Sequence, residues 1–84
     1  MKDTKQIDSL ANLSPGSVCQ IVSLGLSGLL RRRILDLGIV PGTLISCVRH
    51  GPSGDPTAYL VRETLIALRS EDAAQIMVRN LQKG

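Results

Sequence analysis

Tryptophan and phenylalanine are absent from this 84-residue chain, and Tyr59 is its only aromatic residue. Any core must therefore be aliphatic. The shortage also argues against two modes of binding, because single-stranded nucleic acid is held on aromatic stacking platforms and polyproline ligands dock in aromatic-lined grooves. Cys19 and Cys47 are too few for a disulfide scaffold, which implies free thiols in a reducing, cytoplasmic setting. No run approaches the roughly 20 apolar residues of a membrane span, so no direct membrane insertion is expected. The N-terminus mixes Lys2 and Lys5 with Asp3 and Asp8, and lacks the continuous apolar core of a secretory signal.

Hydrophobic residues make up 43% of the chain and charged residues 20%, a globular composition. A chain this short buries only about 60% of its unfolded surface, so the core is thin. The net charge is +3, and three of the ten cations stand together at Arg31, Arg32 and Arg33. Such a patch steers an acidic partner but does not specify nucleic acid, and no nucleic-acid partner is expected.

Punctuation along the chain divides it into short segments. Residues 1–9 are polar and read as a flexible tail. Ser14-Pro15-Gly16 turns the chain into a first strand over 17–24, with Cys19 and Ile21 on one face. Ser27 is placed to cap a helix over 28–37, on which Leu26, Leu30, Ile34 and Leu37 form one stripe. Gly38 sits where a left-handed C-terminal residue belongs. After Pro41-Gly42 a second strand covers 43–49, with Ile45 and Cys47 on one face. The Gly/Pro-rich segment 51–56 is a loop. Strands follow over 57–61 and 65–69, then a short helical turn capped by Ser70 with Glu71 and Asp72 at its positive end. A last strand covers 76–78, and 80–84 is a tail. The domain itself is expected over 10–79. Five short strands with turns between them predict an all-β barrel or sandwich, and closure is the simplest way to protect the edges.

No catalytic constellation can be assembled. A nucleophile needs a base and a group to orient it, and His50 is the only histidine. Three residues apart on one strand, Cys47 and His50 point to opposite faces. The carboxylates are scattered, and there is no phosphate-binding Gly-x-x-x-x-Gly-Lys loop. Cys19, Cys47 and His50 fall short of the four ligands of a structural zinc site, and the cysteines alternate with core aliphatics. No tightly bound cofactor is expected. The weak candidates for a divalent transition metal such as iron are His50 and Asp55.

The helix carries the most visible surface feature. Arg32 and Asp36 are spaced for an i,i+4 pair worth a few tenths of a kcal/mol. Leu29 and Leu35 lie outside the apolar stripe, and a helix apolar on more than one side meets something on each. One candidate is the N-terminal segment, through Leu10 and Leu13; another is a second protein. The candidate partner-binding residues are Leu29, Arg31, Arg32 and Leu35 on the helix, with Asp55 in the loop.

These residues also carry a resemblance. The run from Leu30 to Gly42, Leu-Arg-Arg-Arg-Ile-Leu-Asp-Leu-Gly-Ile-Val-Pro-Gly, resembles the helix and turn of FeoA-type proteins. Leu10-x-x-Leu13-x-x-Gly16, Gly54-Asp55-Pro56, Ile66-Ala67-Leu68-Arg69, Asp72-Ala73 and Ile76-x-Val78 follow the same family in order and spacing, covering nearly all of 10–78. The resemblance implies a small SH3-like β-barrel of about five strands, with one α-helix inserted after the first strand and a short helical turn before the last. It implies an accessory, regulatory role in bacterial ferrous iron uptake, through binding the cytosolic GTP-binding domain of the FeoB-type membrane permease. It also implies a family described as transition-metal-binding. The reading allows for weak self-association. The alternative it implies is a stand-alone metal-responsive regulatory domain, like the C-terminal domain of iron-dependent repressors. One position departs from the pattern: Glu63 stands where the family places a glycine in the turn between the third and fourth strands.

Overall fold

Alternating apolar residues and closely spaced turns build one antiparallel sheet. The computed structural model describes residues 7–81. Its elements are β1 (Ile7–Ser9), β2 (Val18–Leu24), α1 (Gly28–Asp36), β3 (Leu44–His50), β4 (Thr57–Val61), β5 (Thr64–Leu68), α2 (Ser70–Ala73) and β6 (Ile76–Asn80). The strand order is β1-β6-β2-β3-β4-β5, so β1 and β5 are the two edges. The architecture is an all-β, SH3-like barrel with α1 inserted between β2 and β3.

The sheet has six strands, one more than the sequence reading. The extra one is β1, which falls in the expected tail and pairs with β6, Asp8 opposite Val78. Of the two expected tails, residues 1–6 and 82–84 lie outside the described residues, while Asn80 ends β6 and the Leu81 amide donates to Val18 O at 3.1 Å.

The core is aliphatic around one phenol. Cys19 and Ile21 of β2, Ile45 and Cys47 of β3, Tyr59 and Val61 of β4, and Ile76 and Val78 of β6 are all buried. Leu10 and Leu13 join this core. The Tyr59 hydroxyl donates to Leu10 O, and the Cys47 thiol lies 3.9 Å from Leu13 O. Leu10 and Leu13 therefore complete the barrel interior and do not cover the outer side of α1.

The helix ends as its sequence dictates. Gly38 has φ +88, its N–H donates to Leu35 O at 2.9 Å, and the Ile39 N–H donates to Ile34 O at 3.2 Å. These are the paired bonds of a Schellman stop, and the buried Ile34 and Ile39 supply its apolar contact. The N-terminal end differs from expectation: Ser27 holds the N-cap position with extended backbone but makes no side-chain cap bond. Of the apolar stripe, Leu26 and Ile34 are buried, Leu30 is half-buried and Leu37 remains 47% exposed.

The β4–β5 turn is a two-residue hairpin closed by Val61 opposite Thr64. Arg62 and Glu63 have φ of 50 and 70. The left-handed geometry that a glycine would ease is thus kept with Glu63 in place, and each such residue costs about 1–2 kcal/mol.

Candidate functional site

Four of the five partner-binding candidates come together. Gly28, Leu29, Arg31, Arg32, Leu35 and Asp36 line one open groove along the outer side of α1. Leu29 is 82% exposed, the most exposed large hydrophobic residue described. Leaving a leucine in water forfeits roughly 2 kcal/mol of burial. Arg31 and Arg32 share the groove with it, both exposed, and Leu35, four and three residues on from them, is half-buried. The expected Arg32–Asp36 pair is not formed: among the described residues neither side chain is in an ion pair. Behind this groove α1 is fixed by Leu26, Ile34 and the Schellman stop.

Asp55 lies elsewhere and has another task. Its Oδ1 accepts a hydrogen bond of 2.7 Å from the Ser70 N–H, so the loop over 51–56 caps α2 from fifteen residues away in sequence. Ser70 is the first residue of α2, and the N-cap position belongs to Arg69. This corrects the expectation that Ser70 does the capping.

His50 is also placed differently from the alternation argument. The β3–β4 register shifts between Cys47 and Arg49, so Cys47 opposes Tyr59 and His50 opposes Thr57. The extra residue, Val48, returns His50 to the same face as Cys47. The histidine nevertheless stays exposed, with Nδ1 2.9 Å from Thr57 Oγ1.

The donor set does not suit a tightly held metal. Among the described residues no group of three His, Cys, Asp or Glu side chains is gathered as a metal site would require. Asp55 is engaged by Ser70 and His50 by Thr57. The thiols are buried in the core, where desolvation pushes Cys19 up to about 11 and raises Cys47 as well. Both stay protonated at neutral pH, the wrong form for a nucleophile or a metal ligand. None of the described helices is long and apolar enough to cross a membrane.

Residues 9–80 match the FeoA domain family. The chain is 39% identical over 69 residues, 82% of its length, to a Fe(2+) transport protein A/Fe(2+) transporter FeoB fusion protein of Porphyromonas gingivalis. It spans only 8% of that fusion protein. The FeoA-like protein of Clostridium acetobutylicum superposes with a TM-score of 0.84 at 32% identity, covering 98% of this chain and 94% of that one. The FeoA of Stenotrophomonas maltophilia, solved with zinc and described as an SH3 domain protein, gives 0.73 at 28% identity over 83% of this chain and 87% of that one. A manganese-dependent transcriptional repressor gives 0.81 at 15% identity over 94% of this chain and 44% of that one, a likeness of fold alone.

Proposed function

The chain belongs to the FeoA family, which is associated with ferrous iron transport, and from that premise we propose that it is an accessory protein that docks through the outer groove of α1 onto the cytosolic GTP-binding domain of a FeoB-type permease. The observation that carries the reading is the 82% exposed Leu29 in one groove with Arg31 and Arg32, neither of them ion-paired among the described residues. An exposed apolar anchor with a basic rim suits a partner surface that is apolar at its centre and acidic around it. The fusion relative supports the choice of partner, since there a similar segment and a FeoB transporter share one polypeptide.

In this reading the protein does no covalent chemistry. It acts in the cytoplasm, biasing its partner by differential binding to one of the partner's states. A transient regulatory contact of this size falls in the micromolar range, about −8 kcal/mol. Metal plays at most a weak part, through His50 or Asp55.

Calorimetric titration of the permease's isolated cytosolic domain with wild-type, Leu29→Ser and Arg31→Glu proteins tests the proposal. Each substitution should weaken binding about tenfold, the effect of losing one anchor or rim charge. Undiminished affinity in both variants would remove the groove from the account.

A further inference from the structure

A second concavity lies on the other side of α1, where Leu30, Arg33, Ile34 and Leu37 face the edge strand β5 across a cleft of about 490 Å³. We propose that this cleft receives an extended, acidic–apolar segment of a partner protein, which adds to β5 as a seventh strand. The proposal concerns a different surface from the Leu29 groove and does not depend on it.

Among the described residues no strand pairs with the outer edge of β5. A two-residue turn with both residues at positive φ makes Val61 and Thr64 a pair that exchanges both hydrogen bonds. Alternation then directs the N–H and C=O groups of Ile66 and Leu68 toward β4, and those of Leu65 and Ala67 outward. Natural edges are usually protected by charge, proline or extreme shortness. The other edge, β1, is three residues long and carries Asp8. By contrast β5 reads Thr-Leu-Ile-Ala-Leu, five residues without a charge or a proline, and Leu65 is 57% exposed.

Apolar walls and basic rims define the occupant. Leu37 belongs to the stripe that should face the core, yet it is 47% exposed at the cleft. Arg33 and Arg69 line the cleft against a single acid, Asp72. Arg62 reaches over the C-terminal end of α1, its Cδ 3.6 Å from where a Gly38 side chain would begin. Among the described residues none of these three arginines is in an ion pair. An added strand presents alternate side chains to opposite sides, so apolar residues can enter toward Leu30 and Leu37 while acidic ones meet the arginines. Charge disfavours the other occupants. A second copy carries the same +3, and the chain ends are basic on balance, with Lys2, Lys5 and Lys83 against Asp3.

The test is titration of the full-length ¹⁵N-labelled protein with the acetylated, amidated peptide Glu-Val-Asp-Val-Glu-Leu. The expected result is shifts and slowed hydrogen exchange at the Leu65 and Ala67 amides, with shifts at Leu37. The same peptide with lysine for each acid should bind about tenfold or more weakly, as should the Arg33→Glu/Arg69→Glu protein. Ala67→Pro removes an outward N–H while sparing the bonds to β4, so it should fold and lose binding. Should that variant unfold, peptides N-methylated at alternate amides make the same cut: one of the two registers should fail to bind. Shifts confined to Leu29 and Arg31, no shift at about 1 mM peptide, or equal binding of both N-methylated peptides would overturn the proposal.

Discussion

Asp55 and Ser70 are tied by a hydrogen bond of 2.7 Å that joins the loop between β3 and β4 to the start of α2. A loop residue with the look of a metal or partner ligand is thereby given a structural role. Removing the bond leaves a helical N–H without its partner, so Asp55→Ala should cost about 1 kcal/mol, measured by urea denaturation. Asp55→Asn keeps an acceptor oxygen and should recover most of that loss. If the proposed docking is confined to α1, neither variant should alter affinity for the permease domain by more than about twofold, an error-level change of under 0.5 kcal/mol.

The same loop depends on Gly51. Its N–H donates to Pro56 O at 2.9 Å, and a side chain there would begin 2.6 Å from that oxygen. Backbone must move to accept a methyl group, so Gly51→Ala should destabilise by about 1–3 kcal/mol. Loss of the Asp55 cap should accompany it, read as faster exchange of the Ser70 amide.

Glu63 offers a gain. Its φ of 70 is a conformation that glycine adopts freely. Glu63→Gly should therefore stabilise the protein by about 0.5–1 kcal/mol after the extra unfolded-state entropy of glycine is subtracted. A lower urea midpoint would show that the side chain of Glu63 contributes something the turn geometry does not reveal.

Alkaline pH should unfold the protein through its buried acids. Burial raises Cys19 from 9.0 to about 11 and Tyr59 from 10.0 to about 12. Both are neutral when protonated, so the folded state holds its protons to higher pH than the unfolded state does. Stability is then full below pH 9.0 and falls as pH rises through about 11 and about 12. Cys19 alone accounts for on the order of 2 kcal/mol of this loss. Thermal unfolding between pH 8 and 12 measures it, and thiol labelling should follow unfolding and not precede it.

The strands could be read from the sequence because their signals are local. Cys19 and Ile21, Ile45 and Cys47, Tyr59 and Val61 each alternate toward one core, and all are buried. Gly38 marked the end of α1 for the same reason. The features that escaped depend on residues far apart in the chain. Ile7–Ser9 is too short to show a period, and its partner strand ends at Asn80. The bulge at Val48 reversed the face of His50 because it answers to β4 and not to its own neighbours. Ser70 had the right chemistry to cap α2, but Asp55 arrives from another loop and does so. Leu37 matched the core stripe and stayed exposed, since nothing described covers that end of the cleft with β5. On the outer side of α1, Leu29, Arg31, Arg32 and Leu35 were legible as a patch because helical spacing alone brings them together.

The central claim, that the outer face of α1 is the docking surface, is tested most directly by titrating the ¹⁵N-labelled protein with the permease's isolated cytosolic domain. The account predicts the largest amide shifts at Leu29, Arg31, Arg32 and Leu35, while Asp55 and His50 stay near their free positions. Shifts centred on His50 and Asp55, with residues 28–36 unmoved, would contradict it.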